Sequence, residues 1–229
     1  MSRTLISLAT TVATACAAGL LAIPAGAISL LPGDTVVLSG TTTAARPELE
    51  GTIIEDEFVP VSFSDGQGGT ISAVVQTRIV QEDVAGTLDF YYRITSFEET
   101  TDLSITALRL SGFDSLATDV DFRTDGVGDL GPDAAIRFSP PDDQFINFLF
   151  GEDPANPTLA PGQESLFMFV KTDATSFTMS SANLTTTENG IISPQFLVFA
   201  PVPEPQGLAL LALALAAARA LRAGSRRAA

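Results

Sequence analysis

Between residues 28 and 200 apolar and polar side chains alternate with a period close to two, and no window long enough for a helix carries a 3.6-residue repeat. Successive side chains of a strand point to opposite faces, so this pattern predicts a run of β-strands. The clearest stretch is residues 87–97: Leu88, Phe90, Tyr92 and Ile94 share one face, and Thr87, Asp89, Tyr91, Arg93 and Thr95 the other. That is the signature of an antiparallel strand with one face in a core and one in water. On the same parity rule Tyr91 is expected at the surface, where its ring could stack on a sugar. Leu166, Met168 and Val170 repeat the alternation in a second strand.

Further strands are predicted at 35–38, 52–63, 70–80, 103–110, 134–138, 144–150, 177–182 and 191–199. Turn formers such as Asp65-Gly66, Gly68-Gly69, Asp125-Gly126 and Pro161-Gly162 separate them. The apolar side switches within 103–110, from Leu103 and Ile105 to Leu108 and Leu110, which predicts a bulge near Ala107. The expected fold is all-β: a single antiparallel β-sandwich, jelly-roll-like, over 28–200, with helices confined to an N-terminal signal and a C-terminal hydrophobic segment. Of 15 Phe in the chain, Phe145, Phe148, Phe150, Phe167 and Phe169 are expected in the core.

Composition removes several chemistries. The 229 residues contain no His and no Trp, and the single Cys is Cys16. A His-based triad, a His-bearing zinc site and, in the body, a disulfide or a Cys nucleophile are therefore excluded. The chain carries 12 basic and 27 acidic residues, and 26 of the acids but seven of the bases lie within 28–200. A body this acidic repels phosphate backbones, which argues against nucleic acid as a partner. No G-x-S-x-G elbow, phosphate-binding glycine loop or dinucleotide fingerprint occurs. A Ser–Lys dyad would have to use Lys171, which stands beside no serine motif, and no carboxylate pair is marked out for glycoside hydrolysis. The body is therefore read as non-enzymatic.

The densest polar constellation runs from Thr118 to Pro132 and holds Asp119, Asp121, Asp125 and Asp129 with Gly126, Gly128 and Gly131. Hard cations take several oxygen ligands from a flexible loop, so these four aspartates are the candidate calcium ligands. The spacing is not that of an EF-hand, because Arg123 occupies the third ligand position of a loop started at Asp119. The plainer reading is an exposed acidic loop between strands, with no cofactor.

Both ends carry addresses. Residues 1–27 combine Arg3, an apolar run from Leu5 to Ile23, and small residues at Ala25 and Ala27 in the −3 and −1 places of an A-x-A cleavage site. This predicts export by Sec-type machinery and a mature chain beginning at Ile28. Lipoprotein processing at Cys16 is the alternative, against which Ala13-Thr14-Ala15 makes a poor preceding motif.

The last 29 residues run Val202-Pro203-Glu204-Pro205, then an apolar stretch over 207–218, then Arg219, Arg222, Arg226 and Arg227. Two prolines keep the strip around Glu204 extended and accessible. The Leu/Ala segment is apolar on every side, as a helix in lipid is, and the arginines hold its far end in the cytoplasm. Its 12 residues make about 18 Å of helix, well short of a hydrocarbon core, so the anchor is marginal and suits a temporary tether. Here the sequence resembles the PEP-CTERM proteins, exported bacterial proteins ending in a Pro-Glu-Pro motif, one hydrophobic helix and an Arg-rich tail. The resemblance is limited to this tail. It implies recognition and cleavage by an exosortase-type membrane enzyme, with Val202, Pro203, Glu204 and Pro205 as the sorting motif and the four arginines as the cytoplasmic stop. The expected function is that of an exported surface or extracellular-matrix protein, held briefly in the inner membrane. The alternatives are an exopolysaccharide- or calcium-binding module and, third, a carbohydrate-active enzyme.

Overall fold

The computed structural model describes residues 28–66, 68–100, 103–153, 155–187 and 190–202. The export signal with Ala25 and Ala27, and the tail from Pro203 through Glu204, Pro205, Arg219, Arg222, Arg226 and Arg227, lie outside the described residues. Among the described residues the chain is all-β, apart from one 3-10 turn at Pro47–Leu49, and no helix is long and apolar enough to cross a membrane. Eleven strands follow in order: β1 (Thr35–Val37), β2 (Gly51–Ser64), β3 (Thr70–Glu82), β4 (Leu88–Glu99), β5 (Ile105–Leu110), β6 (Asp119–Phe122), β7 (Ala134–Arg137), β8 (Ile146–Leu149), β9 (Met168–Lys171), β10 (Phe177–Thr186) and β11 (Phe196–Pro201).

They form two antiparallel sheets, one of five strands in the order β2-β3-β4-β9-β6 and one of six in the order β1-β7-β8-β5-β10-β11. The shared core lies between them. Ile71, Val75, Ile79, Phe90, Tyr92, Ile94, Val120 and Val170 from the first sheet meet Ile105, Leu108, Leu110, Ile146, Phe148, Leu184 and Val198 from the second. Each such side chain, fully withdrawn from water, contributes about 1.5–3 kcal/mol. Two bulges set which residues reach this core. Thr106 is the extra residue between the pairs Thr185↔Ala107 and Thr186↔Ile105, the irregularity expected beside Ala107. In β4 the register shift opposite Ser72 and Val74 accommodates Ser96 at φ 52°, which turns both Ile94 and Phe97 inward.

The sheets are also joined by polar pins. Thr77 and Tyr92 pair across β3 and β4, and both reach the backbone of Phe199 on β11. Tyr92 Oη donates to Phe199 O at 2.6 Å, and Phe199 N donates to Thr77 Oγ1 at 3.1 Å. Arg137, 1% exposed, gathers the loops at the other end. Its guanidinium donates to the carbonyls of Phe113, Leu116, Leu30 and Asp143 and to Thr118 Oγ1.

Several expectations are corrected. Residues 119–122, read as part of a loop, form β6, the edge strand beside β9. The strand expected at 191–199 is β11, displaced toward the C-terminus, while β10 extends to Thr186. Phe145 is half-buried outside the core, edge-on to Phe138 with the Arg109 guanidinium over both rings. Phe167 and Phe169 are buried as expected, in a second apolar cluster on the outer face of the five-stranded sheet.

Replacing Tyr92 by Phe removes one inter-sheet donor and leaves a buried carbonyl unsatisfied, so Tyr92→Phe is expected to lower the unfolding free energy by about 1–3 kcal/mol. Chemical denaturation of the two proteins measures it.

Candidate functional site

The four aspartates singled out in the sequence do not converge. Asp119 Oδ1 accepts from Ile28 N at 2.9 Å and from Arg46 Nη1 at 3.2 Å, and Arg46 Nη2 donates to its other oxygen. Asp121 is buried, and its Oδ1 accepts from Gly40 N and Phe122 N, both at 2.9 Å. Asp125 accepts from Thr43 N, Thr43 Oγ1 and the Arg123 guanidinium, while Asp129 accepts from Glu164 N. Each carboxylate thus organises its own stretch of backbone. Among the described residues no group of three acidic, His or Cys side chains is placed to hold a metal ion. The glycines answer to packing as well. A Cβ on Gly128, at φ +132°, would stand 2.3 Å from Ser165 O, and one on Gly131 would meet the Phe122 ring.

The outer face of the five-stranded sheet is the unusual part of the molecule. The parity of β4 is as expected, yet Asp89, Tyr91 and Thr95 are buried along with the core face. Tyr91 is 3% exposed, not the surface aromatic the alternation predicts. Residues 41–49 run over this face, and Leu49 at their end closes with Val80, Tyr91, Phe167 and Phe169 into a second apolar cluster. Tyr91 packs on Phe167 and Phe169 at centroid distances of 6.3 and 5.6 Å. Arg46 lies over Phe169, and Arg78 and Arg93 over Phe167. Five of the seven basic residues of the body, Arg46, Arg78, Arg93, Arg123 and Lys171, therefore sit on this face of an acidic protein.

A cleft of about 550 Å³ opens beside the cluster. Leu49, Val80, Phe167 and Tyr91 contribute apolar surface, Arg78, Arg123 and Asp125 polar groups, and Ile53 and Val127 an exposed apolar rim. Arg78 is held by Asp56 at 2.7 Å and Arg123 by Asp125 at 2.6 Å, so both guanidinia are oriented by a carboxylate. Burial, with the charge of Asp89 adding to it, pushes the Tyr91 phenol up to about 12; the phenol stays neutral at any physiological pH.

At the far end of the same face the register aligns Asp89, Lys171 and Asp119 on β4, β9 and β6. Asp89 is 0% exposed, and neither of its oxygens accepts a hydrogen bond among the described residues. Burial raises its pKa to about 8, with Asp119 and Glu48 adding to the shift against the opposing pull of Arg46. Lys171 Nζ contacts Glu82 Oε1 and stands 4.0 Å from Asp89 Oδ1. Burial lowers the Lys171 pKa, opposed by Glu48 and reinforced by Arg46. Glu82 and Asp89 were not singled out in the sequence, and Lys171 was set aside for want of a serine. The available signal was a lone lysine opposite an acid at matching strand parity.

The Arg123 guanidinium and the two donors of Thr43 hold the Asp125 carboxyl down to about 2. A depressed folded-state pKa means stability that is present above the unfolded value, near 4, and lost as pH falls through the folded one. The stability difference between the wild-type protein and Asp125→Asn is therefore expected to shrink between pH 4 and pH 2, as read by thermal unfolding across that range. The chain matches no protein-family model, no curated protein and no solved structure.

Proposed function

We propose that this is an exported, non-enzymatic surface or extracellular-matrix protein whose C-terminal tail is a Pro-Glu-Pro sorting signal for an exosortase-type membrane enzyme. The tail itself carries the reading: Val202-Pro203-Glu204-Pro205, an apolar segment and four arginines in that order. Its junction with the body supports it. Val202 N donates to Ser176 O at 3.0 Å, so the first residue of the motif is still tied to the body. At the other end Ile28, the expected start of the mature chain, is joined to β6 through Val120 N and Asp119. Cleavage at either boundary would leave the two sheets whole. In this reading the body is a jelly-roll-like sandwich, in keeping with the six passages of the chain between its sheets. The protein is tethered transiently in the inner membrane and then released to the cell surface or matrix.

A second reading, that the body also binds extracellular polysaccharide, is favoured by the cleft beside Phe167. An apolar floor with oriented guanidinium donors suits a sugar ring and its hydroxyl or carboxylate substituents. On this reading Arg78→Ala and Arg123→Ala would each weaken co-sedimentation with the host's extracellular polysaccharide.

The principal reading is tested by mass spectrometry of the protein recovered from its host. The expected product begins at Ile28 and ends close to Pro205. A chain that persists through Ala229 in the mature fraction removes the sorting proposal.

A further inference from the structure

Three side chains on adjacent strands meet at the end of the covered face. Asp89 and Lys171 stand directly opposite each other on β4 and β9. Glu82 ends β3, two residues beyond Val80, the cross-strand partner of Asp89. The amine of Lys171 thus lies between two carboxyl groups, in contact with one and 4.0 Å from an oxygen of the other. Lys171 is the single lysine of the sequence, on a strand flanked by β4 and β6. A salt bridge built for stability would surround both ions with donors and acceptors. Asp89 instead has no hydrogen-bond partner among the described residues on either oxygen and no exposure to water.

We propose that Lys171 and Asp89 condense to an intramolecular isopeptide bond, with Glu82 as the proton carrier for the reaction. The reactants are the neutral amine and the protonated acid. Transfer of one proton from the Lys171 ammonium to the Asp89 carboxylate produces both. Burial favours that neutral pair, since it penalises each charged form: it lifts the acid and lowers the amine, which brings their protonation equilibria toward each other. The lone pair of Nζ attacks Cγ of Asp89 and forms the Nζ–Cγ bond. Glu82 accepts the proton that the nitrogen then sheds and delivers it to the departing hydroxyl as the Cγ–O bond breaks. One water leaves, nothing is oxidised or reduced, and Glu82 ends in the state in which it began.

Condensation of an amine with an acid is ordinarily opposed by bulk water, and two features of this site act against that. The strand register fixes both groups in one place, an arrangement whose effective concentration reaches about 10⁵–10⁸ M in well-oriented systems. Asp89 is itself 0% exposed, and Arg46, 1% exposed, lies close enough to act on its charge, so the carboxyl is withdrawn from solvent. The proposal is independent of the sorting tail.

The test is the mass of the purified protein under denaturing conditions, followed by tryptic mapping. The wild-type chain is expected to weigh one water less than the sequence between its observed termini. Its peptide of residues 79–93 should be joined through Asp89 to the peptide holding Lys171, with no cleavage after Lys171. Lys171→Arg and Asp89→Ala should restore the full mass, and Glu82→Gln should leave most of the chain unlinked. A wild-type chain of full mass overturns the bond. So does a water loss that maps to a linear peptide, because that is succinimide formation at Asp65-Gly66 or Asp125-Gly126. Complete linkage in Glu82→Gln overturns the role given to Glu82.

Discussion

The pairing of Arg46 with Asp119 is the contact on which the unusual half of this structure depends. It fastens residues 41–49 to the edge strand β6 and so roofs the outer face of the five-stranded sheet. With the roof in place Tyr91, Phe169 and Asp89 are dry. Without it they would face water, the aromatic cluster would lose its upper wall, and Asp89 would be an ordinary ionised carboxylate. A buried ion pair is no large source of net stability, since the cost of desolvating both ions roughly offsets their attraction. What it supplies is position. The guanidinium donates to Asp119 and to Glu48 and lies 5.5 Å from the Phe169 ring centroid, which fixes the path of the covering segment in two directions at once.

The same economy of means recurs at the other polar contacts in the interior. Among the described residues Arg137 has no carboxylate in hydrogen-bond contact; its charge is solvated by four carbonyl dipoles and a hydroxyl drawn from separate segments. Tyr92 and Thr77 together satisfy both backbone groups of Phe199. In each case a buried side chain completes backbone groups that sheet pairing cannot reach, which is where an unpaired donor or acceptor would be most costly. With no cysteine in the body, these contacts take over part of the work of holding distant segments together.

Much of the fold was legible because strand periodicity survives burial. Leu88, Phe90, Tyr92 and Ile94 face the core as their spacing requires, and the switch of apolar side near Ala107 marked a real bulge. The candidate site was poorly legible for a related reason. Alternation tells which residues share a face and says nothing about what covers that face. Residues 41–49 have no periodicity, so nothing in the sequence announced that they would roof β4, and Tyr91 was misplaced as a result. Asp119-Val120-Asp121-Phe122 alternates as well as any strand, but its acids drew attention to loop chemistry. In the structure those acids accept from Ile28, Arg46 and Gly40, partners 73 or more positions away that only the fold brings near.

The position of the Asp89–Lys171 pair also bears on how a body without cysteines could be made durable. A covalent tie acts chiefly on the unfolded chain, by removing conformations that the folded state never had, and the effect grows with the length of chain enclosed. By the relation that describes disulfides, a loop approaching a hundred residues corresponds to about 4–5 kcal/mol. That is a large share of the stability of an ordinary domain. The tie would run between β4, the end of the β2-β3-β4 meander, and β9, which connects the meander to β6. It would close the five-stranded sheet at its centre, where peeling of the exposed edge strand β2 does not reach it. An amide, unlike a disulfide, is indifferent to the redox state of its surroundings, so its strength would not depend on the compartment in which the protein came to rest.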